Sequence, residues 1–335
     1  MSTNSAEPEP TGHFEPLESS DLPRRRIVPI LALATAGCLW GTGFFFGKIA
    51  LTEMSVTAMV LFRFVFACIV LLHNTFSEPV RFSPREWRLI LLASFTGVPV
   101  QFLIQFKGLS LTTVSHASLM VGTLPIFLAI AASLFAHEHL HVTSWVALVL
   151  SSLGAALIAF SGKVSAGPHA SAFGDLLVVV SLAASVVWIL ISKHLVKRHS
   201  PMIVTAVVFW LGLLQVAAFA LLTSGVPSLH YSHRVWFAVA AQGIFATAVT
   251  TLLWNWGLSR VPASQAGIFV NLEPLVGSIL GVLLLHESLG AMAIAGGTLI
   301  IAGAVHFSYK PMMTAENIEA SQLKRAQGVQ DSRVH

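Results

Sequence analysis

Charged residues are scarce in this sequence. Asp, Glu, Lys and Arg together make up 10% of its 335 residues, whereas a soluble domain carries roughly 25%. That scarcity excludes an ordinary soluble protein, whose surface needs charge to stay hydrated. Hydrophobic residues make up 55% of the chain and the mean hydropathy is +0.78, which is more apolar material than one or two buried cores could hold. Only a polytopic helical membrane protein absorbs that excess, so the first predicted partner is the lipid bilayer.

Other features are also missing. The sequence has two cysteines, Cys38 and Cys68, and both lie inside apolar runs, which argues against a disulfide framework. It has no GxxxxGK(S/T) loop and no soluble segment large enough to hydrolyse nucleotide, so ATP-driven transport by this chain alone is excluded. Its nineteen Lys and Arg residues are scattered and form no basic groove for nucleic acid. No cofactor is predicted.

The apolar residues fall into long runs separated by Pro, Gly and short charged clusters. A window of about 19 residues, the length that crosses a bilayer, divides them into ten spans with short loops. The sequence therefore predicts an all-α polytopic membrane protein with ten transmembrane helices. These spans lie near 28–51, 56–74, 88–109, 113–136, 143–161, 174–195, 201–224, 235–257, 263–286 and 290–309.

Both ends of the chain are polar, and we expect 1–26 and 310–335 to be disordered tails. The first apolar run starts at Ile27 and continues for about 24 residues, which is too long for the core of a signal peptide. If the N-terminus lies inside, fourteen Lys and Arg residues fall on the cytoplasmic side and four on the outer side. This asymmetry predicts a multi-pass protein of the cell (inner) membrane with both termini in the cytoplasm.

The chain contains an internal repeat. Adding 149 to the positions of 108–155 gives 15 identities in 48 ungapped pairs, and an offset of 145 continues the relation upstream, where Lys48 pairs with Lys193. Each unit holds five spans, and because five is odd the second unit begins on the opposite side of the membrane. The predicted architecture is thus two inverted five-helix repeats, 27–161 and 174–309, joined by a loop at 162–173. Inverted repeats are typical of transporters that alternate access around a central site.

Several motifs resemble the EamA-type family of the drug/metabolite transporter superfamily. They are the segment Leu39-Trp40-Gly41-Thr42-Gly43-Phe44 with Lys48 after it, Arg63 in the second span, and the repeated pattern of Pro125 to Glu138 and Pro274 to Glu287. The resemblance covers about 28–161 and 174–309. It implies a basket of ten helices and a central cavity walled by helices 1, 3, 4, 6, 8 and 9, with helices 5 and 10 peripheral. It also implies export of small metabolites such as amino acids.

One acidic residue, Glu273, falls near the middle of a predicted span, between Asn271 and Pro274. An ionisable group inside a membrane is costly, so each one is a candidate for function. Pro274 frees a backbone carbonyl one turn back, which adds an acceptor beside the carboxylate. We predict that Glu273 binds a substrate amine or a proton, with Asn271 as its polar neighbour. The alternative is a protonated carboxyl group that is hydrogen-bonded between helices.

Two glutamines, Gln101 and Gln105, lie four residues apart and so on one face of the third span. Their repeat equivalents are Thr250 and Trp254, and Asn255 follows Trp254. Polar and aromatic groups at matching depths suit a cavity wall for a small amphiphilic solute. Interhelical hydrogen bonding is the alternative role. The aromatic residues that could stack on a flat or cationic substrate are Trp40, Phe44, Trp188 and Trp254.

Two basic residues are predicted to serve as gating or structural charges. Arg63 lies about two turns into the second span, where we expect it to pair with Glu53 or with backbone carbonyls. Its place in the family resemblance also leaves a gating role open. Lys48 lies near a helix end, from which its long stem can reach the membrane surface.

The sequence 137–141 matches HExxH, in which two histidines one turn apart bind zinc and the glutamate activates water. An intramembrane zinc metalloprotease is therefore the alternative from another class. The repeat copy of this sequence, His286-Glu287-Ser288-Leu289-Gly290, keeps the His-Glu pair and the Leu but lacks the second histidine. That pattern suits a repeated helix end, so neither a metal site nor an enzyme is predicted.

The sequence as a whole predicts a secondary or facilitated transporter of small metabolites that works by alternating access. The favoured substrates are amino acids or related amphiphilic compounds, the favoured direction is export, and a proton is a candidate coupling ion. Uptake, or antiport of nucleotide sugars, is the alternative within transport. The lack of a clear cluster of basic residues deep in the spans argues against a phosphate-rich substrate. The protein is expected to be a monomer or a homodimer.

Overall fold

The computed structural model describes residues 21–76, 81–111, 121–122, 124–135, 142–161, 172–285, 291–292 and 294–303. All regular secondary structure in these ranges is helical, which confirms the all-α fold class. In chain order the helices are α1 (Asp21–Ala50), α2 (Val56–Phe76), α3 (Pro84–Leu111), α4 (Leu124–Phe135), α5 (Val142–Ser161), α6 (Ala172–Leu195), α7 (Pro201–Thr223), α8 (His233–Leu258), α9 (263–285) and α10 (Ile294–Gly303). Helix α1 begins at Asp21, so the last part of the predicted disordered tail, 21–26, is helical.

Five of these helices are long and apolar enough to cross a membrane. They contain the segments Ile27–Ala50, Pro84–Leu111, Leu176–Leu195, Pro201–Thr223 and His233–Leu258. Shorter apolar segments lie at Val56–Leu72, Trp145–Gly154, Gly267–Gly277 and Ile294–Gly303. Large apolar side chains point outward, among them Leu222, Phe237 and Phe135. An apolar exterior around several membrane-length helices is that of a multi-pass membrane protein.

The two repeats pack against each other through reciprocal contacts. Phe64 in α2 meets its own repeat equivalent, Phe209 in α7, edge to face with ring centroids 5.1 Å apart. A residue that contacts its own equivalent lies beside a two-fold axis, as in a symmetric dimer interface. The α2 and α7 crossing therefore marks the centre of the molecule.

Glycine contacts follow the same symmetry at two other crossings. Gly108 in α3 packs against the Gly174 carbonyl of α6, and its equivalent Gly257 in α8 packs against the Pro29 carbonyl of α1. Pro29 and Gly174 are themselves related by the offset of 145. At the crossing of α5 and α10, Gly154 faces the carbonyl of Gly296, and the equivalent Gly303 faces the carbonyl of Ala147. The two repeats found in the sequence are thus related by an approximate two-fold axis in the structure.

Three helices are irregular around the centre of the molecule. Helix α3 contains a π-helical segment, Thr96–Leu103, and α8 contains another at the equivalent position, Ile244–Val249. In α8 the hydroxyls of Thr247 and Thr250 donate to carbonyls five residues back, at 2.8 and 2.6 Å. Helix α9 begins with Ala263–Ala266, passes through a 3₁₀ segment at Gly267–Asn271, and returns to α-helix at Leu272–Leu285. Such interruptions are frequent where a helix serves a functional site.

Candidate functional site

A cavity lies between the two repeats, with about 590 Å³ of empty space including its open mouth. Helices α1, α2, α3, α6 and α9 and the start of α4 supply its wall. Its lining residues are Trp40, Gly43, Phe44, Arg63, Gln101, Phe102, Gln105, Phe106, Val121, Leu124, Leu182, Ser185, Trp188, Ile189, Val270 and Glu273. Five of the eight residues predicted to bind substrate belong to this set: Glu273, Gln101, Gln105, Trp40 and Trp188.

Both glutamines face the cavity from α3. Gln101 is in the π-helical segment and Gln105 in the α-helical turn that follows it. Gln105 is buried, and the Oε1 atom of Gln101 is buried without a hydrogen-bond partner among the described residues. A buried carbonyl oxygen that lacks a partner is costly unless a ligand supplies a donor.

Arg63 reaches the cavity from α2 and is only 3% exposed. Its Nε donates to Thr247 Oγ1 at 2.6 Å, and its Nη2 donates to the carbonyl of Ala246 at 3.2 Å. Its guanidinium carbon lies 4.3 Å from the ring centroid of Phe102. The predicted pairing with backbone carbonyls is thus observed, and the side chain is held between the π-helical segments of α8 and α3.

The predicted pairing of Arg63 with Glu53 is wrong. Glu53 lies in the loop after α1, where it accepts hydrogen bonds from the hydroxyl of Ser232 at 2.6 Å and from its backbone N–H at 2.8 Å. Ser232 is the N-cap of α8, whose first N–H groups have no partner within the helix and attract an acceptor. These hydrogen bonds, the side-chain one first, lower the pKa of Glu53 below its ordinary value.

Glu273 lies in the first turn of the α-helical part of α9, directly after the 3₁₀ segment. Helix α1 approaches its backbone closely, since a Cβ atom on Gly41 would lie 2.6 Å from the Glu273 carbonyl oxygen. The half-buried carboxylate faces the cavity, and it forms no hydrogen bond or salt bridge with any part of the chain that the structure describes. Arg63 and Glu273 line the same cavity. The site thus offers an anchored cation and a carboxylate that has no partner among the described residues.

Aromatic rings complete the wall. Trp40 lines the cavity and packs on Trp254 behind it, with ring centroids 5.0 Å apart. Phe102 and Phe106 stack on each other at 6.4 Å and an interplanar angle of 19°. They follow Gln101 and Gln105 by one residue each, so the i, i+4 spacing that identified the glutamines could also have identified the phenylalanines.

Three of the predicted substrate-binding residues lie outside the cavity wall. Trp254 is fully buried behind Trp40. Asn255 points towards α7, where its Nδ2 donates to Thr205 Oγ1 at 2.8 Å. Asn271 is also fully buried.

The amide of Asn271 is satisfied away from the cavity. With the amide oriented so that its nitrogen meets an acceptor and its oxygen meets donors, the nitrogen donates to the Gly122 carbonyl at 3.1 Å, and the oxygen accepts from Ser151 Oγ at 3.0 Å and from the Ser152 N–H at 3.3 Å. Depth along a helix is readable from sequence, but the direction of the side chain depends on the neighbouring helices. Asn271 thus links α9 to α5 and to the turn before α4, although it is two residues from Glu273.

The wall also differs from the one that the family resemblance implies. Helix α8 contributes no described lining residue, and α2 contributes Arg63. The reason is the close approach of α1 to α8, because a Cβ atom on Gly43 would lie 3.3 Å from that of Ala246. Arg63 then covers the π-helical segment of α8. Lys48, the other predicted charge, is exposed in the last turn of α1.

The HExxH sequence at 137–141 and its repeat copy at 286–290 lie outside the described residues, so the structure does not bear on the metalloprotease alternative.

Comparison with known proteins identifies the chain. The EamA-like transporter family matches residues 27–160 and 172–309. An uncharacterized transporter of Archaeoglobus fulgidus is 24% identical over 275 residues, which are 82% of this chain and 94% of the relative. The uncharacterized transporter YetK of Bacillus subtilis is 25% identical over 290 residues, which are 84% of this chain and 87% of YetK.

The fold also matches a solved structure. One crystal structure superposes with a TM-score of 0.71 at 18% sequence identity, and the match covers 88% of this chain and 99% of the other. At that identity the likeness is one of fold.

Proposed function

Because this chain belongs to the EamA-like transporter family, we propose that it exports small zwitterionic metabolites, amino acids foremost, by alternating access. It is a multi-pass membrane transporter, and its relatives carry the name of transporter. The proposal adds the substrate class, the direction and the residues that bind. It also includes ten spans in two inverted repeats, the inner membrane as location, and both termini in the cytoplasm.

The observation that carries the proposal is the carboxylate of Glu273, which has no partner among the described residues, in the same cavity as the anchored guanidinium of Arg63. A salt bridge between them would neutralise both charges, but none joins these two described residues. A zwitterion can satisfy both, with its ammonium group at Glu273 and its carboxylate at Arg63. A ligand with one positive and one negative group suits this mostly apolar site. Each of its charges then lies beside a protein charge of opposite sign, which offsets the cost of removing the charges from water.

The rest of the wall suits the body of such a substrate. Gln101 and Gln105 add amide groups on one side, and Trp40, Trp188 and Phe106 add apolar surface for a side chain. Among the described residues of this wall, Arg63 is the only cation. One cation cannot balance the several negative charges of a phosphate-rich ligand such as a nucleotide sugar. Small-molecule sites are generally of this kind, mostly apolar with a few polar groups that orient the ligand.

The test is transport by the purified protein in proteoliposomes. A panel of radiolabelled amino acids, with the matching amines and carboxylic acids that each lack one charge, should be offered with and without a pH gradient. The expected result is transport of at least one zwitterion and none of its singly charged analogues. Glu273→Gln should abolish that transport, or remove its dependence on the pH gradient, while the protein still inserts and purifies.

The matched control is Glu53→Gln, which removes a carboxylate from a surface loop rather than from the cavity. It should leave the substrate concentration for half-maximal transport as in the parent. The proposal fails if Glu273→Gln transports the panel with unchanged kinetics and pH dependence, or if the singly charged analogues are carried as well as the zwitterions.

A further inference from the structure

A buried lysine closes one end of the molecule. Lys193 lies in the last turn of α6 and is 8% exposed. Its Nζ donates to the carbonyl of Leu258, the last residue of α8, at 2.5 Å, and to the carbonyl of Val261 in the loop that follows. The last carbonyls of a helix have no partner within it and carry the negative end of the helix dipole, so an ammonium group there is a favourable cap.

The repeat equivalent of Lys193 is Lys48, in the last turn of α1, and its situation is different. Lys48 is exposed and forms no hydrogen bond or ion pair within the described ranges. By the same repeat relation, the carbonyl equivalent to that of Leu258 belongs to Leu109, near the end of α3. The end of α1 already lies beside α3, because a Cβ atom on Gly47 would be 2.9 Å from the Phe106 ring.

The part of the cavity wall that differs between the two repeats lies toward the Lys48 end. The wall takes Trp40 and Phe44 from the second half of α1 and their repeat equivalents, Ser185 and Ile189, from the second half of α6, so these two helices favour neither end. It also takes 101–106 from the second half of α3, whereas no described residue of α8 lines it. The second half of α3 runs toward the end that carries Lys48, where Gly47 lies beside Phe106. Lys193 and the end of α8 lie at the opposite end, where Gly257 packs against the Pro29 carbonyl. Among the described residues, the lysine cap is thus formed at the end away from the α3 part of the wall and is not formed at the end near it.

We propose that Lys193 and Lys48 are alternating caps, each of which binds the end of the partner repeat's helix when the cavity is closed on its side. This rests on the proposed alternating access. Because both repeats carry the same lysine and the same helix end, the arrangement that one repeat adopts is available to the other. In the second state Lys48 binds the carbonyl of Leu109 and Lys193 is released.

The test measures the two ends of the molecule in lipid nanodiscs by spin-label distances, without substrate. Cys38 and Cys68 are replaced by alanine, and one label pair is placed at the exposed positions 197 and 260, beside Lys193, and another at 52 and 110, beside Lys48. The parent should give a short distance for the first pair and a long one for the second.

Lys193→Met should lengthen the first distance and shorten the second, because a charged cap is lost from one state only. Hydrogen bonds from a charged group shift an equilibrium by roughly tenfold or more, so the ratio of the two states should change by about that factor. Lys48→Met alone should keep the parent's distances, and in the Lys193→Met background it should return the ratio to within about threefold of the parent. Lys107→Met, which removes another exposed lysine near the Lys48 end, should change neither pair.

In the double variant, Lys48→Met should cancel the change in distances that Lys193→Met causes. A lysine that only stabilises the fold would not give this result. The caps are refuted if Lys193→Met leaves both distances unchanged, or if Lys48→Met adds to its effect. If Lys193→Met does not purify, Lys193→Gln keeps one donor and should give a smaller shift of the same sign, again cancelled by Lys48→Met. A parent that transports nothing in the panel would refute the proposed function, whereas unchanged distances in an active transporter would refute the caps alone.

Discussion

Removing Arg63 should destabilise the protein far more than removing an arginine with similar contacts at the surface. Arg63 makes two hydrogen bonds, to Thr247 Oγ1 and to the Ala246 carbonyl, and lies 4.3 Å from the Phe102 ring centroid. Arg260 also makes two hydrogen bonds, both at 2.9 Å, and lies 3.9 Å from the ring centroid of Trp256. The first arginine is buried and the second is exposed, so the pair isolates the effect of burial.

The magnitude follows from these contacts. A hydrogen bond to a charged group contributes roughly 1.5–3 kcal/mol, and a desolvated cation–π contact about 2 kcal/mol. Arg63→Met loses all three but no longer buries a charge, which offsets part of the loss. We therefore expect a decrease of about 2–4 kcal/mol in the free energy of unfolding. Arg63→Lys keeps the charge but lacks the planar fork whose Nε and Nη2 atoms reach the two acceptors separately, so it should lose one hydrogen bond, roughly 1.5–3 kcal/mol. Arg260→Met should cost about 0.5 kcal/mol.

The chain supplies a reporter for this experiment. Cys68 is fully buried in α2, five residues after Arg63, so a thiol-reactive dye should label it only when the helices separate. Labelling during thermal unfolding in detergent, in a Cys38→Ala background, gives the midpoint for each variant. The order of midpoints should be parent and Arg260→Met highest, with both Arg63 variants well below.

A double-mutant cycle tests the charge coupling across the cavity. Without Arg63 the carboxylate of Glu273 faces no opposite charge, so Glu273→Gln should be less costly, or favourable, in the Arg63→Met background. The coupling should be about 0.5–3 kcal/mol, the range for interacting neighbours. Equal midpoints for Arg63→Met and Arg260→Met would refute the structural role of Arg63, and additive effects of Arg63→Met and Glu273→Gln would refute the coupling.

Three further predictions concern the surroundings of the cavity. Gly97→Ala should lower the free energy of unfolding by about 1–3 kcal/mol, because the new Cβ would lie 2.5 Å from Cγ of Trp188. In a Trp188→Ala background, which has no Cγ atom at 188, Gly97→Ala should cause no further fall in the thermal midpoint. Asn271→Leu should cost about 1–3 kcal/mol in thermal unfolding, through loss of its hydrogen bonds, yet leave the substrate concentration for half-maximal transport unchanged. The lowered pKa of Glu53 means that its hydrogen bonds to Ser232 stabilise the start of α8 above the ordinary pKa of 4.5 and are lost as the pH falls through the lower folded value. Amide hydrogen exchange at the start of α8 should therefore speed up on acidification to that range, after correction for the intrinsic pH dependence of exchange.

Each of these predictions has a control. Gly277→Ala should be tolerated, because the nearest atom to its new Cβ, the Gly41 carbonyl oxygen, is 3.9 Å away. An equal loss in both glycine variants would contradict the argument from close contact with Trp188. A changed half-saturation in folded Asn271→Leu would mean that Asn271 acts on the site after all. In Glu53→Gln the added exchange on acidification should disappear, and its persistence would assign the effect to another group.

Local patterns in the sequence predicted some cavity residues correctly and others not. Gln101 and Gln105 reached the cavity because both share one face of α3. Glu273 and Asn271 are equally deep in α9, but a separation of two residues turns them roughly 200° apart around a helix, so only one can face the cavity. Of the two partners predicted for Arg63, backbone carbonyls and Glu53, the second is wrong for a similar reason. Glu53 is near in sequence and opposite in charge, whereas Thr247 is 184 residues away and is brought close by the packing of α2 on α8.

The sequence by itself determined that the protein is helical, enters a membrane and is built from two repeats. These properties depend on composition, on the length of apolar runs and on the identity of equivalent residues, all of which can be determined without the tertiary structure. The tertiary structure alone decided the π-helical segments of α3 and α8, the anchoring of Arg63 and the different environments of Lys48 and Lys193. The two lysines occupy equivalent positions, so no local rule can distinguish them. Their difference comes from helix ends that the chain reaches only by folding one repeat against the other.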